Sequence, residues 1–457
     1  MDTLPIRTLY YGRDGPLPEK SELRAGPLTL LLEGGDLRYV RLGDYEVLRR
    51  VYVSVRDSNW DTVLPAISNL HAESGEDWFR VSFDAEHVER EIDFAWKGTV
   101  TGDARGTITF AMDGRARSTF RRNRIGFCVL HPIGCAGASC AVEKVDGSIE
   151  NAELPRYISP HQPFMDMRAI SHEVAPGIRA NVRFAGEVFE MEDQRNWTDA
   201  SFKTYCTPLA LPFPVTVHAG EEVSQSVTLS VSGELPDRPT GRDARELRLA
   251  VSPHEGPSPR ARVPRVGLGA ASHGAALSAK EIGRLRALNL SHLRVDLDLT
   301  RGGYEANLRR AADEAGALGV SLEVALALSD DAAAELGAFG KVLEQVRPQV
   351  GTWLVFHASE ETTPERTVAV ARERLREYAP GARFAGGAAA YFTELNRGRP
   401  DPAALDAVCY SLNPQVHAFD NASMVETLEG QAATVGSARR FAGGLPLVVS
   451  PVTLRPR

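Results

Sequence analysis

Residues 190–205, EMEDQRNWTDASFKTY, carry the carboxylates Glu190, Glu192, Asp193 and Asp199 and the cations Arg195 and Lys203. They also carry Gln194, Asn196, Trp197 and Tyr205. This mixture fits a polyhydroxylated ligand. Carboxylates and amides bind hydroxyls, Arg and Lys bind carbonyl or carboxylate oxygens, and an aromatic face covers the C–H side of a sugar. Glu192, Asp193, Arg195, Trp197 and Asp199 are therefore candidate substrate-binding residues. The competing reading is a polar surface loop whose ion pairs contribute little each. A second polar run, Arg121, Arg122, Asn123 and Arg124, precedes an apolar stretch that ends at His131. It reads either as a basic strand end leading into the core or as part of the same carbohydrate-binding surface.

The second half of the chain places polar residues at the ends of expected strands. These are Ser272 and His273, then Arg294, Asp296 and Asp298, then His357, Ser359, Glu360 and Glu361. Tyr391, Glu394 and Asn396 follow, then Tyr410, Asn413, Gln415, His417 and Asp420, and finally Ser450, Thr453 and Arg455. Any one of them fits a satisfied polar group at a strand end. Their convergence is the stronger signal, because strand ends of a barrel meet in space.

The elements that must position these residues differ between the two halves. Up to residue 234 the chain reads as short antiparallel strands, near residues 28–32, 46–55, 80–83, 92–96, 107–112, 179–184, 209–217 and 223–231. Ile92, Phe94 and Trp96 alternate with Asp93, Ala95 and Lys97, the period of a half-buried strand. Residues 61–70 are the one weak helix candidate. Such a pattern predicts a β-sandwich over residues 1–234. Residues 235–264 are rich in Pro, Gly, Ser and charge and read as a linker or domain seam, with a strand-like piece at 247–251.

From residue 265 strand and helix alternate. Strands are expected at 265–271, 292–297, 322–328, 352–357, 383–388, 407–412 and 447–452. Helices are expected to begin near Ser278, which with Glu281 forms a capping-box pattern, near Tyr304 and Asp331, after Thr363 and Pro364, and at Ser423. Seven strand-helix repeats predict a (β/α)8-type barrel over residues 265–457 with its eighth strand absent. The expectation is a C-terminally shortened form of a longer protein, which a segment filling the eighth position would refute.

Composition narrows the function. The chain has 457 residues, 43% hydrophobic and 25% charged, with a formal net charge of -8. Two or three domains are expected. The negative charge argues against nucleic-acid and anionic-membrane partners. No apolar run is long enough for a membrane span, and the N-terminus shows no secretory pattern, so a cytoplasmic protein is expected. The five cysteines form no C-x-x-C pair and read as reduced thiols. GLGAASHG after the first barrel strand lacks the third glycine and acidic partner of a dinucleotide site. No H-x-H follows that strand, and H-E-x-x-H and G-x-S-x-G are absent. No cofactor is expected, with a divalent metal left open.

HLRVDL in the second strand and the polar end of the fourth resemble glycoside hydrolase barrels of clan A. Those place Asn-Glu after strand four and a second Glu at strand seven, as retaining hydrolysis requires. Here FHASEE and VVSPVTLRP supply neither, which argues against that chemistry. Large sandwiches related to aldose mutarotases use a concave face for sugars, an analogy of fold only.

RNRIGFCVLHP, EMEDQRNWTDASFKTY, HLRVD and SPVTLRPR together resemble the D-apionate lactonase family over essentially the whole chain. The resemblance implies a β domain, a central barrel, a further C-terminal domain that this chain is expected to lack, and opening of D-apionolactone to D-apionate in bacterial apiose catabolism. It transfers no catalytic residue. Lactone opening is acyl transfer to water and needs a base, oxyanion donors and an acid for the leaving alkoxide. Glu360 is the first choice of base and Glu361 the near-equal alternative. Arg294 or His357 would hold the carbonyl oxygen, and Asp296, Tyr391, Asn413 and His417 would bind substrate. A covalent Ser450 mechanism lacks an evident His–Asp partner order. The partner is then a small sugar lactone. The alternative is a glycoside hydrolase-like barrel that is catalytic on glycosides or only binds carbohydrate.

Overall fold

The computed structural model describes residues 4–12, 14–233 and 263–454. Most of the linker segment, including the expected strand at 247–251, and Arg455 lie outside the described residues. The chain forms two compact units, residues 1–195 with 199–248, and residues 196–198 with 249–457.

The first unit is an antiparallel β structure whose strands belong to one 18-stranded sheet system. Its core is made by alternation. Along Ile92–Gly102, the side chains of Ile92, Phe94 and Trp96 are buried while their neighbours are not. The expected helix at 61–70 is instead two strands, Thr62–Val63 and Ala66–Ser74. Pro65 interrupts any helix there, and Ala66–Ser74 pairs with Phe79–Glu89. The expected strand at 209–217 shrinks to Val215–Val217, because Pro208, Pro212 and Pro214 remove ladder donors.

Four neighbouring strands position the motif of the first unit: Tyr45–Asp57, Phe120–Pro132, Ser201–Tyr205 and Phe189–Asp193. Register fixes what each face carries. Phe127, Val129, His131, Phe202 and Thr204 point into the core. Tyr52, paired with Cys128, which is paired with Tyr205, which is paired with Glu190, lies on the opposite face. Lys203 and Glu192 join them there.

The second unit has seven parallel strands in sequence order: Leu268–Gly269, His292–Asp298, Ser321–Leu328, Val350–His357, Arg383–Gly387, Ala407–Leu412 and Leu447–Val452. Among the described residues no pairing joins the last strand to the first. Ala325, Leu354, Phe356, Ala385, Ala407 and Cys409 fill the interior. Alternate residues face the helices, as Trp353 does against Phe339, with ring centroids 6.1 Å apart. Gly387 allows the fifth strand to approach the sixth, since a Cβ there would stand 1.9 Å from the Cys409 carbonyl oxygen.

The capping box at Ser278 and Glu281 forms as the sequence implies. Two other helix starts differ. The helix Asn421–Ala438 is capped by Asp420, whose carboxylate accepts from the Ser423 backbone N–H at 3.0 Å, so Ser423 lies within the first turn. Thr363 does not cap the helix Glu365–Leu375. Its hydroxyl donates to Val355 O at 2.6 Å and accepts from Gly387 N–H at 3.0 Å, tying the fourth strand to the fifth.

Candidate active site

In the barrel unit the polar strand-end residues fall into three groups. The first is an interior layer. Arg294 spends Nε and Nη2 on Asp296, the latter at 2.7 Å, and Nη1 on Ser450 Oγ at 2.9 Å. Ser450 Oγ donates to Glu323 at 2.5 Å, and Glu323 lies 3.7 Å from His292 Nε2. This network links the seventh strand to the second and third through side chains. Arg294 is buried, but its carboxylate partner Asp296 is 41% exposed, so the main loss on removing the cation is its hydrogen bond to the buried Ser450 hydroxyl. Arg294→Met is expected to cost roughly 1–3 kcal/mol of unfolding free energy, measured by urea titration.

The second group lies on the helix side of the fourth strand. His357 shares the parity of Trp353 and therefore faces the helical layer, not the barrel interior. Its Nε2 is 3.4 Å from Asp330 without hydrogen-bond geometry, and its Nδ1 meets Ser359 Oγ at 3.2 Å. Glu360 is held by Arg366 of the helix Glu365–Leu375. His357 is buried, whereas Asp330, Glu360 and Arg366 are exposed.

The third group gathers at the ends of the fourth, fifth and sixth strands. Trp197 packs edge-on against Tyr391 at 5.5 Å and His417 at 6.0 Å, and Arg397 lies 6.0 Å from its ring. Asn396 Nδ2 donates to Asn196 Oδ1 at 3.0 Å, and the Thr198 hydroxyl donates to Asn413 O at 2.6 Å. Residues 196–198 thus belong with the barrel unit. Glu394 stands beside this cluster with a buried, unpaired Oε2. Burial raises its pKa, and the nearby Glu361 raises it further. Glu361 itself is exposed.

The motif in the first unit is mostly a buried scaffold. Arg195 forks onto Asp193, with Nε to Oδ1 at 2.8 Å and Nη2 to Oδ2 at 2.7 Å. It also donates to Pro155 O and Arg156 O, and lies 4.4 Å from the Phe202 ring. Glu192 pairs with Lys203 at 3.1 Å. Glu190 accepts from the Tyr205 hydroxyl and from Leu209 N–H. The aromatics and acids of residues 190–205 therefore separate. Trp197 joins the barrel unit, while Asp193, Arg195, Glu192 and Asp199 stay in the sandwich.

Asp199 is pushed up to about 7 by burial, opposed by Lys203. A folded-state value above the unfolded one means the native state binds the extra proton between about pH 4 and 7. Stability falls as pH rises through that window, with a slope of up to about 1.4 kcal/mol per pH unit. Asp199→Asn is expected to flatten this dependence and to raise the melting temperature at pH 8 but not at pH 4. Equal melting curves at pH 8 would contradict it.

The five cysteines are free and buried. Burial pushes Cys135 and Cys409 up to about 12 and Cys140 to about 11, so none of these three is poised as a nucleophile. Among the described residues no three or more His, Cys, Asp or Glu side chains are grouped to hold a metal ion. None of the described helices is long and apolar enough to cross a membrane.

A family model described as D-apionate lactonase, N-terminal domain, matches residues 8–234, and one described as D-apionate lactonase, TIM barrel domain, matches residues 266–457. A D-apionate lactonase of Brucella anthropi is 34% identical over 470 residues, covering 98% of this chain and 75% of its own length. The chain therefore spans about three quarters of that relative. Among solved structures, a beta-arabinopyranosidase is 10% identical, with 80% of this chain and 66% of that one covered and a TM-score of 0.32. Galactose 1-epimerase from Lactobacillus acidophilus is 7% identical, with 48% and 96% covered and a TM-score of 0.31. At those scores neither likeness carries an argument. With both domain models matched in order and a curated relative aligned along 98% of this chain, the chain belongs to the D-apionate lactonase family.

Proposed function

We propose that this chain hydrolyses a sugar lactone, opening D-apionolactone to D-apionate. The observation that carries the proposal is 34% identity to a D-apionate lactonase across 98% of the chain. In the reaction a water oxygen adds to the lactone carbonyl carbon, and the ring acyl–oxygen bond breaks. The water loses a proton to a base, and the departing ring oxygen gains one from an acid.

Two carboxylates of the barrel unit are assigned to these roles. We assign Glu361 as the base, since it is exposed at the end of the fourth strand. Glu394 is assigned as the acid, because burial and Glu361 both favour its protonated form. Glu360, the other carboxylate of the FHASEE segment, is committed to Arg366. Trp197, Tyr391 and His417 provide aromatic and imidazole surface for the sugar. Asp296 and Asn413 are assigned to its hydroxyls. Arg294 gives one N–H from each of its three nitrogens to Asp296 and Ser450, and His357 faces the helices, so we assign the carbonyl oxygen to neither. Asp193 and Arg195 are assigned to holding the sandwich segment that carries the motif, with Glu192 and Asp199 beside them.

The test is a panel of lactones followed by NMR above the spontaneous rate. D-apionolactone should open selectively over common aldonolactones such as D-gluconolactone. In the same assay Glu360→Gln should change kcat by less than about threefold, and Glu361→Gln should lower it by about 10²-fold or more. Equal loss from both would return the base to the Glu360 cluster.

A further inference from the structure

Buried polar side chains are usually hydrogen-bonded. In the first unit the consecutive residues Arg122, Asn123 and Arg124 each carry buried polar atoms without a hydrogen-bond partner. Asn123 stands at a register shift of the strand Phe120–Pro132, where Arg122 pairs with Asp57 and Arg124 with Arg56. Asn123 is 1% exposed, and neither its Oδ1 nor its Nδ2 has a partner. Arg124 is 4% exposed, with Nε and Nη2 unpartnered; its Nη1 donates to Asn123 O at 2.8 Å. Arg122 leaves Nε unpartnered and gives Nη1 to Thr207 Oγ1 at 3.2 Å.

The unpaired edge has a chemical meaning. Nε and Nη2 form the fork that Arg49, Arg195 and Arg294 each spend on a carboxylate of this chain. Arg124 presents the same fork without one. A buried donor set left so costs free energy that a ligand would recover. Trp60 and Phe213 flank the guanidinium at 5.0 and 5.2 Å and are each about two-fifths exposed. Tyr205 and Glu190 lie near enough to act on the charge of Arg124.

We infer that Arg124, Asn123 and Arg122 form a binding site for the carboxylate of a sugar acid. The fork takes the carboxylate, the Asn123 amide, both donor and acceptor, takes an adjacent hydroxyl, and the flanking rings turn to cover C–H groups. Glu190 close by favours a monoanion over a phosphate dianion. The site is distinct from the barrel residues and does not rest on their assignment.

The test is calorimetric titration of the full chain with D-gluconate, a free aldonate, with methyl D-glucuronoside, a glycosidic uronate, and with neutral xylitol. Arg124→Lys keeps the charge and removes the fork. Binding of either acid, weakened tenfold or more in Arg124→Lys and absent for xylitol, supports the site, and the tighter of the two acids identifies its source. No binding to a folded chain, equal binding of xylitol, or acid binding unchanged in Arg124→Lys would overturn it. Lactone turnover measured alongside separates this outcome from failure of the barrel assignment.

Discussion

Glu394→Gln is expected to lower kcat for lactone opening by roughly 10²–10³-fold, with a much smaller change in KM. The amide cannot give a proton to the departing ring oxygen, yet it keeps the shape of the side chain. The carboxyl lies half-buried, its Oε2 has no hydrogen-bond partner, and burial, with Glu361 nearby, raises its pKa. The same facts give a pH signature. A group that must be protonated sets an alkaline limb on kcat, and that limb should disappear in Glu394→Gln. The substitution also removes a buried group prone to charge, so the melting temperature should not fall. Full activity in Glu394→Gln would exclude it as the acid.

Arg195→Leu is expected to lower unfolding free energy by about 3–5 kcal/mol. Asp193 and Arg195 are each 1% exposed and satisfy one another through two parallel hydrogen bonds. Arg195 also holds the carbonyls of Pro155 and Arg156. Removing the cation leaves Asp193 buried, with the backbone N–H groups of Ser159 and residue 195 still donating to it but without the guanidinium charge. Burial already pushes Asp193 upward against the pull of Arg195, so the variant carboxyl should take up a proton. The double variant Asp193→Asn with Arg195→Leu should recover a large part of the loss, since it removes the unpaired charge. Urea titrations of the three variants measure the coupling. Additive losses would show that the pair is not a unit.

Much of the fold could be read from the sequence because burial imposes period. Ile92, Phe94 and Trp96 announced their strand, and all seven barrel strands lie where apolar runs placed them. Polar strands were harder. Ser201–Tyr205 and Phe189–Asp193 carry charged residues on one face, and nothing local reveals that the face is covered. The short helix Phe392–Gly398 was missed because seven residues show less than two turns of pattern.

The candidate site was legible as a set of residues but not as a geometry. Glu360 and Glu361 are adjacent in sequence, and only the structure separates one bound to Arg366 from one beside Glu394. His357 looked like an interior strand end, while strand parity turns it toward the helices. Glu323, buried between Ser450 and His292, sits in an apolar strand where no motif marks it. The split of residues 190–205, with Trp197 joining the barrel unit, depends on contacts more than 190 positions away in sequence.

The most direct measurement follows D-apionolactone by NMR in the presence of this chain and of a Glu361→Gln, Glu394→Gln double variant, with thermal melting recorded for both. The account predicts ring opening well above the spontaneous rate for the unsubstituted chain, and near-spontaneous opening for a double variant that melts normally. Equal acceleration by both proteins, or none by a folded unsubstituted chain, would contradict it.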